Sequence, residues 1–410
     1  MTSALATYGS SRTIVRNTFS GTDMTLQAAR VAALDPEWGH QHWSPFTNAS
    51  SPSILNLGGT VMDIAYGAGL YVAASKGSWI SGSTFNSSNI FTSPDLVTWT
   101  SRASASGVWQ AVIWTGTQFV AVTSNSLYTS PDGITWTAKT LPSGAYCGLD
   151  YVPSLGLHVL SGISGTNIYT SPDCTTWTTR AVGANITGPG CFGAGVYIVP
   201  TDVGLKYTTN FSSFTTATLK NSHGTTVTWG TGAQNCSAYG IVFDGTKFHA
   251  IIKINDIYVP TYITSTDGIN WTIVAQLYQT KTNYVGPGIS VGAIGSPTYQ
   301  IDSSIGFRIN STLCVVNGVV FAMLLKNQSF NNGSSTSTSS NIQLLRLNGD
   351  SFHELELGPL IGGSLVGYTT YTGTMRNTNG RILCMPHYSD QAQPRKFEVN
   401  LNAREIVYVL

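Results

Sequence analysis

One seven-residue pattern recurs along this chain and limits what it can fold into. It reads Ser93-Pro94-Asp95-Leu96-Val97-Thr98-Trp99, Ser130-Pro131-Asp132-Gly133-Ile134-Thr135-Trp136, Ser171-Pro172-Asp173-Cys174-Thr175-Thr176-Trp177 and Ser265-Thr266-Asp267-Gly268-Ile269-Asn270-Trp271. A degenerate copy stands at Thr208-Thr209-Asn210-Phe211-Ser212-Ser213-Phe214. The chemistry is that of a hairpin turn. Pro pre-sets φ, Asp accepts hydrogen bonds from turn N–H groups, and Gly133 and Gly268 permit positive φ. The Trp has the apolar area to pin the hairpin to its neighbours. The box is thus read as a folding device, and the chain as an array of similar units.

A second repeated feature gives the units their size. An apolar strand, a short turn and another apolar strand recur, with turns at Gly67-Ala68-Gly69, Thr115-Gly116-Thr117, Pro153 to Gly156, Gly193 to Gly195, Asp244-Gly245-Thr246, Asn317-Gly318 and Asn379-Gly380. Each pair is followed by a second hairpin, and the first, second, third and fifth of these carry the box. Asp95, Asp132, Asp173 and the degenerate Asn210 succeed one another at intervals of 37, 41 and 37 residues. Four short strands per unit, repeated radially, make a β-propeller blade. The near-continuous apolar runs suit strands covered on both faces. The expectation is an all-β chain: a seven-bladed propeller of four-stranded antiparallel blades over residues 61–410, preceded by an N-terminal docking or anchoring segment, residues 1–60.

That N-terminal segment lacks the repeat. Met24, Ala28, Val31 and Ala32 suit one face of a short helix between Met24 and Leu34. Glu37-Trp38-Gly39-His40-Gln41-His42-Trp43 holds two histidines and a carboxylate, but no further ligands follow at a metal-site spacing. It reads as an aromatic segment that docks on the propeller or on a partner protein. Ile54-Leu55-Asn56-Leu57 could supply a strand to the last blade and close the ring.

Composition excludes some functions. Charged residues are 10% of the 410 and the net charge is +1, which argues against an electrostatic nucleic-acid binder. No apolar run reaches the roughly 18 residues of a membrane span, and the start lacks the basic and apolar regions of a signal peptide. The six cysteines (Cys147, Cys174, Cys191, Cys236, Cys314, Cys384) form no C-x-x-C pair and are expected as reduced, buried thiols. No phosphate-binding loop, nucleophile elbow or metal motif is present, so no cofactor is expected.

With strands lettered a to d from the axis outward, the a–b and c–d turns share one face of the disc. The b–c and d–a loops share the other. Every long insertion is of the second kind: Ser75 to Asn89, Lys220 to Cys236, Gln276 to Asn310, Lys326 to Asn341 and Gly358 to Thr378. Loops on a rigid scaffold are where binding surfaces are built. The candidate ligand-face aromatics are Trp79, Trp109, Trp229, Tyr278, Tyr284, Tyr299, Tyr368 and Tyr371, whose rings beside Asn, Ser and Thr suit sugars. Within one of these loops, the low-complexity run Asn331 to Ser340 cannot bury apolar surface and is expected to lack fixed structure without a partner.

The boxes resemble the Asp-box (BNR) repeats of sialidases and related propellers. The structural box residues are then Ser93, Asp95 and Trp99; Ser130, Asp132, Gly133 and Trp136; Ser171, Asp173 and Trp177; and Ser265, Asp267, Gly268 and Trp271. The form with one residue fewer between Asp and Gly is similar to repeats in propeller proteins of tailed bacteriophages. Sialidase chemistry implies three arginines, a Tyr–Glu nucleophile pair and an acid/base Asp. The one similar motif, Phe307-Arg308-Ile309-Asn310, follows the boxes and has Asn for Pro, and no arginine triad converges in the sequence. No catalytic residue is assigned.

The resemblance implies a non-enzymatic virion structural protein on the tail or capsid surface. Residues 1–60 would contact other virion proteins, and the loop-rich face would meet host-surface glycan or neighbouring virion proteins. The alternatives are a sialidase-like glycan hydrolase and an assembly propeller. The expected location is the virion, with a secreted or cell-surface site as the alternative.

Overall fold

A computed structural model of the chain describes two short strands, Thr7–Tyr8 and Arg12–Thr13, and residues 61–276 apart from short stretches. Between 298 and 408 it describes the strands named below. All regular structure among the described residues is β. The expected helix at 24–34, the aromatic segment at 37–43 and the seam strand at 54–57 lie outside the described residues.

Six antiparallel units run in succession. The first is Val61–Gly67, Leu70–Ser75, Asn89–Ser93 and Thr100–Arg102. The second is Trp109–Trp114, Phe119–Thr123, Leu127–Ser130 and Thr137–Lys139. The third is Tyr146–Val152, Leu157–Gly162, Asn167–Ser171 and Thr178–Ala181. The fourth is Cys191–Gly193, Val196–Thr201, Gly204–Thr208 and Thr215–Thr216. The fifth is Cys236–Phe243, Phe248–Ile254, Ile257–Ser265 and Asn270–Gln276. The sixth is Leu313–Val316, Val319–Asn331, Thr336–Asn348 and Ser351–Glu354.

A C-terminal sheet, Thr370–Thr378, Arg381–Tyr388, Phe397–Asn400 and Glu405–Tyr408, has the same four-strand order. Its innermost strand contacts the innermost strands of both the sixth and the first sheets. The fold is thus an all-β propeller of four-stranded antiparallel blades. Up to Glu354 six units, not seven, follow one another, and a count of seven rests on the C-terminal sheet.

The second strands are buried on both faces, as Phe119–Thr123 and Val196–Thr201 show along their whole length, because each is sandwiched between adjacent sheets. The outer strands of the first three units are the opposite: three or four residues each, with exposed Thr, Ser or Ala beside a half-buried Lys or Arg. Short polar edges discourage pairing with other chains.

The box turns lock the joints between sheets. The residue after the box Asp, or after Asn210 in the degenerate copy, takes positive φ every time: Leu96 (66°), Gly133 (74°), Cys174 (58°), Phe211 (61°) and Gly268 (70°). Three of these five are not glycine, although the left-handed region costs an L-residue about 1–2 kcal/mol. Burial offsets that cost, since Leu96, Cys174 and Phe211 are each at most 2% exposed. Cys174 packs with Val120, Val122 and Leu127 of the preceding sheet, and Phe211 with Val152, Val159 and Ile168 of its own preceding sheet. Where glycine stands, the preceding sheet fills the space instead. A Cβ on Gly133 would lie 2.8 Å from Val72 Cγ2, and one on Gly268 would lie 2.6 Å from Val196 Cγ2.

Two expectations about insertions need correction. Of the run Asn331 to Ser340, the described residues Asn331 and Thr336 to Ser340 are strand, because the second and third strands of the sixth sheet continue paired from Lys326↔Asn341 out to Asn331↔Thr336. Backbone pairing, which needs no apolar side chains, extends the blade through it. The stretch after Lys220 is also not simply a face loop. Thr218–Lys220 pairs in parallel with the outer strand Asn270–Gln276, and Thr226–Val227 pairs with it in turn. These two strands cover the one long outer edge among the first five sheets.

Candidate functional site

The boxes build rigid turns. Ser Oγ donates to Asp Oδ1 at 2.9–3.0 Å in all four. Ser Oγ also accepts from the N–H of Leu96, Gly133 and Gly268 at 2.8 Å. Asp Oδ1 accepts from following N–H groups, such as Thr175 and Thr176 on Asp173 at 2.8 and 2.7 Å. Three indoles close the turn from below, Trp99, Trp136 and Trp271 donating to the carbonyls of Leu96, Gly133 and Gly268. Trp177 departs from this and donates to Thr140 O at 2.8 Å. The degenerate copy keeps part of the network, with Thr208 Oγ1 accepting from Phe211 N and Asn210 Oδ1 from Ser212 N, both at 2.9 Å.

These bonds hold the carboxylates of Asp132, Asp173 and Asp267 ionised. The N–H groups of Thr176 and Thr175, with Ser171, bring Asp173 down to about 2. Burial pushes Asp267 up, but bonds from Asn270, Ile269 and Ser265 outweigh it and bring it to about 2. With their oxygens turned into the loop, they serve structure.

The candidate aromatics divide. Trp109 is fully buried and begins the innermost strand of the second sheet, its ring 5.3 Å from Tyr128 and 6.1 Å from Trp136. Trp229 is buried against Gly204 and donates to Ala217 O at 2.6 Å. Both are core residues, and their assignment to a ligand face is corrected: apolar area of that size is buried where a blade joint can take it. Trp79, Tyr299 and Tyr371 fall in strands, and their side chains lie outside the description, as do Tyr278, Tyr284 and Tyr368 entirely.

The strongest charged constellation was not picked out in the sequence. It lies on innermost strands. Asp63, fully buried, accepts from Arg376 Nε (2.7 Å) and Nη2 (3.0 Å), from Val112 N (3.1 Å) and from Ile64 N (2.9 Å). One carboxylate thereby ties the C-terminal, first and second sheets. Burial disfavours the Arg376 cation, but Asp63 and Asp150 overcome this and raise its pKa. Burial pushes Asp150, on the innermost strand of the third sheet, up to about 6 against the pull of Tyr151 N and Arg376. Burial also raises Cys191, and takes Cys314 to about 12, leaving both as protonated thiols. The available signal was a lone acid inside an apolar strand, as in Val61-Met62-Asp63-Ile64-Ala65 and Gly148-Leu149-Asp150-Tyr151-Val152.

A second polar chain lies in the fifth sheet. His249 Nε2 meets Asp244 Oδ2 at 2.8 Å and Nδ1 meets Tyr262 Oη at 2.7 Å. Burial lowers the pKa of His249 despite Asp244, so the neutral ring bridges the two groups and pins the a–b turn. No group of three or more metal-ligating side chains occurs among the described residues. No helix among them is long and apolar enough to cross a membrane.

Fold and site together define a β-propeller with box-locked blades and a charged knot on its inner strands. No family model and no curated protein matches the chain. Among solved structures it is similar to a catalytically inactive virginiamycin B lyase from Staphylococcus aureus, at 11% identity over 81% of this chain and 93% of that one, TM-score 0.47. It is also similar to the N-terminal domain of Nup159, at 12% identity over 80% and 87%, TM-score 0.40. A third likeness is to the GH74 enzyme of Niastella koreensis, at 18% identity over 67% and 36%, TM-score 0.35. These likenesses concern the fold and leave activity open.

Proposed function

We propose that this chain is a non-enzymatic virion protein of a tailed bacteriophage, a seven-bladed propeller of the Asp-box class in which the C-terminal sheet is the last blade. Its loop-bearing face contacts host-surface glycan or neighbouring virion proteins, and residues 1–60 anchor it. One observation carries the reading of a binding face: the described elaborations leave the b–c and d–a connections. They are the hairpin Ser78–Ser81 with Thr84–Asn86, the extended sixth-sheet hairpin, and strand Thr298–Gln300 paired with it. The a–b and c–d turns of the first five sheets stay short, and the c–d turns are held by the boxes or, in the fourth sheet, by the degenerate copy. The virion setting rests on the shortened box and on the Ser/Thr/Asn/Gly-rich, weakly charged composition.

The test is a glycan array with purified protein, followed by Trp79→Ala and Tyr371→Ala. Binding without product release, weakened by these changes and untouched by Ile134→Ala on the plain face, supports the proposal. Turnover of a fluorogenic glycoside overturns it. A hydrolase is the second reading, favoured by the buried carboxyl of Asp150, which burial pushes up to about 6. Asp63 is a poor partner for it, since both of its oxygens already accept bonds within the fold.

A further inference from the structure

We propose that the Asp63–Arg376 pair is the clasp that closes the ring, fixing which sheet meets the first sheet and in what register. All four strands of the C-terminal sheet come from residues 370–408, so among the described residues no strand is exchanged across this joint. The pair joins residues 313 apart in sequence. Elsewhere, neighbouring sheets follow directly in the chain and meet through apolar clusters. Val120, Leu149 and Cys174 join the second and third, Val159, Tyr197 and Phe211 the third and fourth, and Ile198, Phe248 and Trp271 the fourth and fifth. Only the closing joint must find its partner across the whole propeller.

The chemistry suits a register device. Asp63 is 0% exposed and stands in an apolar strand, where an unpaired charge is strongly disfavoured. The two-pronged guanidinium contact satisfies it in one alignment: Arg376 Nε on Oδ1 and Nη2 on Oδ2. A one-residue slip of Thr370–Thr378 against its ladder partner Arg381–Tyr388 would put Arg376 on the other face of its sheet and leave the buried carboxylate without its counter-charge. The Arg376 side chain is 28% exposed, so the cation keeps some water while its partner has none. The third bond, Val112 N to Asp63 Oδ2, passes the alignment on to the second sheet.

Hydrogen exchange by mass spectrometry on the full chain tests this, comparing Arg376→Met, Arg376→Lys and Leu55→Asp/Leu57→Asp. Arg376→Met is expected to speed exchange about a hundredfold in peptides covering 61–67 and 370–378 while 191–208 keeps its protection. Arg376→Lys, which keeps the charge and loses the fork, should give a smaller rise in the same peptides. The double change in the N-terminal segment should leave both peptides protected. Opening of the joint by the Leu55/Leu57 changes overturns the proposal, since a borrowed strand would then close the ring. So does a uniform rise over all sheets in Arg376→Met. If Arg376→Met does not fold, unchanged joint exchange in Arg376→Lys overturns it as well.

Discussion

Replacing Phe211 tests the logic of the joints through the order of two stabilities. The side chain is 1% exposed, with its ring centroid 5.2 Å from Tyr197 and 6.5 Å from Phe214. Truncation to Ala leaves a cavity worth about 3–5 kcal/mol. At an ordinary φ, Gly would be worse than Ala by about 0.5–1 kcal/mol, because it has more backbone freedom to lose. Here φ is 61°, where Ala still carries about 1–2 kcal/mol of left-handed strain and Gly carries none. The difference reverses the usual order: Phe211→Gly should be more stable than Phe211→Ala by about 0.5–1 kcal/mol. Urea unfolding, followed by intrinsic fluorescence with the slope compared between variants, measures it. If Phe211→Ala proves the more stable, the claim that burial offsets backbone strain at this position is refuted.

Two further predictions follow from ionisation. The folded values of about 2 for Asp173 and Asp267 lie below the ordinary 3.8, so their stabilisation is complete above about pH 4 and is lost as pH falls through about 2. Asp267→Asn should therefore flatten the fall in unfolding midpoint between pH 5 and pH 2, and an unchanged slope would contradict this. Asp150 has the opposite sign: its folded value of about 6 lies above 3.8, so its contribution is present at low pH and lost as pH rises through 6. Asp150→Asn should gain on the parent protein between pH 4 and pH 7 in thermal unfolding, and a constant difference over that range would refute the assignment.

Much of the fold was legible because its signals are local. The boxes needed only Ser, Asp and Trp at fixed offsets, and the turns form with each Asp accepting from following N–H groups as expected. Strand pairs such as Val61–Gly67 with Leu70–Ser75 were visible as apolar runs broken by glycine. The site was less legible. Trp109 and Trp229 read as loop aromatics because a sequence shows which connection a residue is near, not whether a neighbouring sheet covers it. Asp63 and Arg376 gave no sign of each other, being 313 residues apart.

The repeating hairpin, the four-strand unit and the turn that locks it can be read from residue order alone, since each depends on contacts between near neighbours along the chain. Tertiary structure decided what fills each joint. Gly133 and Gly268 yield space to valines of the preceding sheet, whereas Cys174 and Phe211 are themselves plugs buried against it, with a left-handed backbone. It also decided that Asp63 faces Arg376, because burial makes a charge seek its partner wherever the chain brings one. Local chemistry writes the blade. The closing of blades into a ring depends on volumes and charges that meet only across it.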